Sequence, residues 1–130
     1  MTARDVYNRS LALIHEHNSD GPYDTLDFQK AAPELINLLC TLLEELDLHI
    51  KGQKFHENAL TPHTIQSLDD EVLLHPILCS AVLPLGLAFL FLTEENSSLA
   101  GIFCKLYESE RESLRRRFLK GRRHKITNLY

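Results

Sequence analysis

Cysteine is scarce in this 130-residue chain and badly placed for cross-linking. Cys40, Cys79 and Cys104 are odd in number, form no CxxC pair, and each stands in an apolar stretch. A disulfide framework is therefore excluded, and reduced, buried thiols in a cytoplasmic chain are expected. Glycine is equally sparse, with five residues and no glycine-rich run to cradle a phosphate. The GxSxG, HExxH and paired-carboxylate patterns are missing as well, so no site for acyl transfer, zinc hydrolysis or acid–base work is expected. No basic-then-apolar signal pattern opens the chain, because Arg4-Asp5 leads straight into a helix-periodic segment. Internal repeats and low-complexity tracts are absent.

A further absence is the most informative. After Glu112 the chain has no Asp or Glu, while seven of its 14 Lys and Arg fall between Arg115 and Lys125. All 18 acidic residues lie upstream, so residues 1–114 carry a formal −11 and residues 115–130 a formal +7, hidden behind a net −4. Opposite fields on one small protein favour docking onto a charged partner, or onto another copy of the same chain.

What is present is enough for one folded domain. A chain of this length buries about two thirds of the surface it exposes when unfolded. Its 44% hydrophobic and 25% charged content is that of an ordinary folded protein. Val72 to Leu92 runs for 21 residues without a formal charge, long enough to cross a bilayer. His75 and Pro76 interrupt it early, however, and its flanks are acidic (Asp69, Asp70, Glu71; Glu94, Glu95) rather than basic. A central core helix over 76–92 is the expectation, with no membrane partner, and Pro84 and Gly86 predict a kink or a close helix crossing.

Around it, Thr2 and Asp5 read as the cap and first turn of a helix reaching about His17, with Val6, Tyr7, Ser10, Leu11 and Ile14 along one face. Asn18 to Pro22 is a turn. Pro33 suggests a short turn over 25–31, then a long helix to about His49. Its leucines (Leu38, Leu39, Leu42, Leu43, Leu46, Leu48) form more than a narrow stripe, so it is expected to pack on two sides, one of them against a neighbouring subunit. Residues 51–70 show no sustained period, with Ile50, Phe55, Leu60, Ile65 and Leu68 as points that pin them to the body. The last helix is expected to start after the cap residues Asn96-Ser97-Ser98, to carry Glu108–Arg111 and Glu112–Arg115/Arg116 pairs, and to stop at Gly121. The fold expectation is all-α: a four-helix single domain over 1–120 with a central apolar helix, and a basic, extended C-terminal tail over 121–130.

The candidate chemistry is thin. His15 and His17 stand about 200° apart on a helix and cannot share an ion, and His49, His56 and His63 cross the Gly52 and Pro62 breaks. Asp69-Asp70-Glu71 suits a divalent ion, but as the start of a helix it needs no ligand. Catalytic, cofactor and metal residues are thus expected to be none. Candidate partner-binding residues are Arg115, Arg116, Arg117, Lys120, Arg122, Arg123 and Lys125, followed by Ile126, Leu129 and Tyr130 in an alternating tail suited to adding a strand to a neighbour. Three readings of the basic segment stand side by side: docking on acidic protein, sequence-blind contact with nucleic acid, and a solvated helix end.

The order of segments resembles small proteins of Gram-positive phages and prophages, encoded in the virion-assembly module and head–tail connector-like. The stretches that carry it are Thr2 to Tyr7 with Leu11 to Ile14, Ala32 to Leu39, Ile65 to Glu71, Ala81 to Ala88, Leu106 to Glu108 and the closing Ile126 to Tyr130. This chain departs from that pattern in a more apolar central segment and a denser basic cluster. The resemblance implies a non-enzymatic helical subunit that self-associates as a ring or dimer and contacts portal or other virion proteins. It would reside in the bacterial cytoplasm, or in the virion of a functional phage. A small nucleic-acid-binding or regulatory module is the alternative.

Overall fold

The computed structural model describes residues 1–17, 25–52 and 65–127, with side chains described as far as residue 118. The fold is all-α: α1 (Ala3–His17), α2 (Thr25–Ile50), α3 (Pro76–Ala81), α4 (Leu83–Leu92) and α5 (Ser97–Thr127). An isolated bridge between Thr2 and Glu71 is the one β-type pairing among the described residues.

α4 is apolar on every side, and a helix without a polar face must be enclosed by others. It packs on α1, α2 and α5, and Leu83, Leu87, Ala88 and Leu92 are wholly buried. Phe91 sits edge-on to Tyr7 of α1 (ring centroids 6.0 Å apart) and stacked on Phe28 of α2 (4.6 Å), so one ring ties three helices together. Both features expected of the central segment occur. Pro84 has no N–H to offer Ser80, and the helix breaks at Val82 into α3 and α4. Two residues later, at Gly86, a Cβ would lie 2.9 Å from Leu39 of α2 and 3.0 Å from Tyr107 of α5, so the glycine lets three helices cross. No helix among the described residues is long and apolar enough to cross a membrane.

α1 starts as its sequence predicts: the Thr2 hydroxyl accepts from the Asp5 N–H, and Asp5 accepts from the Thr2 N–H. Val6, Tyr7, Ser10 and Ile14 are buried on its inner face. α2 differs from expectation. It runs unbroken from Thr25 through Pro33, with no separate turn over 25–31. Burial of Phe28 and Ala32 against the core outweighs the one backbone hydrogen bond that Pro33 forfeits.

Asp69, Asp70 and Glu71 do not open a helix either. Asp70 accepts the N–H groups of Gln66 and Ser67, the Asp69 carboxylate pairs with Arg4 at 3.1 Å, and Glu71 meets the Met1 amine at 3.4 Å. Short acidic side chains compete for nearby backbone donors, and here that turns residues 65–71 into a clasp on α1 rather than a helix start. The clasp supplies acceptors for the first α1 amides, Ala3 N–H to Asp70 O and Arg4 N–H to Leu68 O. Asn37 of α2 holds its other side, bonding both the N–H and the carbonyl of Ile65. Ile65 and Leu68 are buried, as expected; Phe55 and Leu60 lie outside the described residues. The α3 cap is His75, whose Nδ1 accepts from Ile77.

α5 continues past Gly121 to Thr127. Gly121 does not end it, since an isolated helical glycine costs about 1 kcal/mol and does not by itself stop the ladder. Ile126 is therefore on helix rather than in an extended tail, while Leu129 and Tyr130 lie outside the described residues.

Candidate docking surface

The basic segment is presented on one long helix. Asn96 caps α5 by accepting from Leu99, and Leu99, Ala100, Phe103, Tyr107 and Leu114 bury its inner face. Phe118, half-buried, is the last described side chain packed on the core. Arg115, Arg116 and Arg117 are exposed; Arg115 and Arg116 share Glu112, at 3.9 and 3.4 Å. Those pairs match the expected spacing. Arg111, expected to pair with Glu108, instead lies over the Tyr107 ring, 5.5 Å from its centroid. Lys120, Arg122, Arg123 and Lys125 follow on helical backbone, their side chains outside the described residues. A backbone of 31 residues at 1.5 Å rise makes a rod roughly 46 Å long, cationic over its last third.

The opposite charge lies elsewhere on the body. Asp27, Glu94 and Glu95 are exposed around a cleft of about 410 Å³ where the start of α2 meets the end of α4. Arg111 and Arg115 border another cleft, about 270 Å³, against Leu42 and Leu46 near the end of α2. Between the clefts α2 shows the wide apolar surface that its leucines predict: Leu39, Leu43 and Leu46 are buried, whereas Leu38 and Leu42 are 49% and 59% exposed. In sequence, Ile102 and Leu106 read with Phe103 and Tyr107 as one apolar stripe of α5, but they do not share its burial. They are 50% and 39% exposed, and their offset from Phe103 and Tyr107 by one position each was the available signal.

The chemically reactive side chains are dispersed. Burial pushes the Cys40 thiol up to about 12 and the Cys79 thiol to about 11, which leaves both protonated and inert at neutral pH. Cys104 is half-exposed, contrary to the buried site expected; its thiol is raised by desolvation and by the Glu108 carboxylate 3.8 Å away. Tyr107, wedged against Gly86, has a buried hydroxyl with no hydrogen-bond partner among the described residues, and its desolvation raises its pKa. Asp47 is buried but satisfied, accepting the His75 N–H at 2.7 Å and Lys51 at 2.9 Å. His17 packs on Phe103 and His49 sits 3.8 Å from Glu45; no cluster of metal-ligating side chains forms among the described residues.

Neither family models, curated proteins nor solved structures give a match to this chain.

Proposed function

We propose that this protein is a non-enzymatic assembly subunit that docks its arginine-rich last helix on an acidic face of a neighbouring protein. Following the resemblance of its segment order, the assembly is the head–tail connector of a phage or prophage virion, with portal or other virion proteins as partners. The observation that carries the docking reading is the continuity of α5, which extends a cationic rod from a body of formal charge −11. A rod of one sign on a body of the other gives head-to-tail complementarity, the geometry from which closed rings are made. The same continuous helix favours a second reading, because a basic helix fits the major groove and neutralises phosphates without base contacts.

Light scattering after size exclusion tests the choice. The full chain is compared with its R116E/R117E/R122E/R123E variant at low and moderate salt. An assembly of more than two chains, lost in the variant and weakened by salt, supports docking on protein. An unchanged mass, together with duplex-DNA affinity whose salt dependence shrinks in the variant, moves the function to nucleic acid.

A further inference from the structure

We infer that the outer flank of α2 is the docking site for a second copy of this chain, packed antiparallel about a two-fold axis near Leu38. This contact is separate from the α5 docking proposed above and does not rest on it. Ala31, Leu35, Leu38 and Leu42 recur at alternating four- and three-residue steps, the spacing of a helix–helix seam. Ala31 and Leu35 are half-buried, and Leu38 and Leu42 are the exposed members.

The ends of the seam carry opposite charge. At its N-terminal end Asp27, Glu94 and Glu95 border the larger cleft, which also includes Ala31 and Leu35. At its C-terminal end Arg111 and Arg115 border the smaller cleft with Leu42, His49 and Glu45, two cations against one carboxylate, so this end is basic on balance. Reversing one copy against another places each acidic end on the partner's basic end, twice per dimer, with the leucines interleaved between them. A parallel arrangement would set like charge on like, which is unfavourable. A self-complementary patch of this kind is what a two-fold interface requires.

Sedimentation equilibrium of the full chain at moderate salt is the test. With the α5 docking removed by R116E/R117E/R122E/R123E, the chain should sediment at about twice the 14.9 kDa chain mass. Leu42→Glu, at an exposed position, should keep the helical circular dichroism and weaken the dimer by on the order of tenfold or more. Arg111→Glu alone, and Glu94→Lys with Glu95→Lys alone, should each weaken it. Mixing those two variants should restore a heterodimer, because both charge contacts become attractive again. A monomeric wild type, a dimer indifferent to Leu42→Glu, or mixed variants that fail to associate would overturn the proposal. So would an assembly lost in R116E/R117E/R122E/R123E but untouched by Leu42→Glu, which would leave the α5 docking intact. A dimer that survives that fourfold variant and falls to Leu42→Glu supports the α2 contact by itself.

Discussion

At Gly86 a single methyl group decides how closely three helices approach. Its Cβ would meet Leu39 and the Tyr107 ring at 2.9–3.0 Å, inside ordinary contact distance. The Leu39 methyl is the end of a flexible side chain, but Leu39 is 2% exposed and has little room to turn. Gly101 is the internal control: it lies in α5, is exposed, and a Cβ there meets nothing within 4 Å. Helix propensity rewards alanine at both sites by roughly 1 kcal/mol, whereas overpacking costs about 1–3 kcal/mol at a crowded one. Gly101→Ala should therefore raise stability by about 0.5–1 kcal/mol. Gly86→Ala should lower it, by up to about 2 kcal/mol once its propensity gain is subtracted. Urea unfolding of the two variants beside the wild type checks both signs, and a stabilised Gly86→Ala would show that the crossing is looser than its distances imply.

Elements in this fold are held at their ends by side chains that bond backbone, and the clasp over residues 65–71 gives that arrangement a pH signature. Backbone N–H groups of Gln66 and Ser67 donate to Asp70 and hold its carboxyl below the ordinary value of 3.8; the Thr2 N–H does the same for Asp5. A carboxyl whose folded-state pKa is depressed contributes stability above its unfolded value and loses it as pH falls through the lower folded one. The melting temperature should thus decline as pH is taken below 3.8. Asp70→Asn keeps an acceptor but cannot titrate, so its decline should be shallower; equal slopes would mean that other carboxyls govern the acid limb. The two caps differ in how far the sequence discloses them. Thr2-x-x-Asp5 is a local signal, and α1 begins where it says. Asp69-Asp70-Glu71 looks equally local, yet its use depends on Arg4 and the α1 amides, which are some 65 residues away. The prolines divide in the same way. Pro84 breaks a helix whose halves both pack, whereas Pro33 is carried through because Phe28 stacks on Phe91, a contact no window around Pro33 contains. Gly121 misled for a related reason, since punctuation by one residue is weaker than the propensity of its neighbours. The candidate surface was half legible: the charge division and the leucine-rich flank of α2 are patterns in the chain. That Arg111 borders one cleft with α2, and Glu94 borders another with Asp27, follows only from folding.

For the molecule as a whole, the enclosure of α4 gathers the buried side chains of the described residues into one core. α1, α2 and α5 each use α4 as their inner wall, and the aromatic contacts of Phe91 join α1 to α2 through it. Removing volume from α4 should therefore loosen all three at once rather than release one helix. Leu87 is wholly buried in the middle of α4, and Leu87→Ala should cost about 3 kcal/mol, the transfer of its side chain plus the cavity left behind. The chain has no Trp, so tyrosine emission is an unobscured probe, and it samples the core because Tyr7 and Tyr107 are both buried. Urea transitions followed by tyrosine emission and by helical circular dichroism should coincide in the wild type and in Leu87→Ala, shifting together to lower urea. Such coincidence fits a body that unfolds as one unit. Helical signal persisting after the tyrosine transition in Leu87→Ala would mean instead that part of the bundle, α5 with its cationic end foremost, stands without α4.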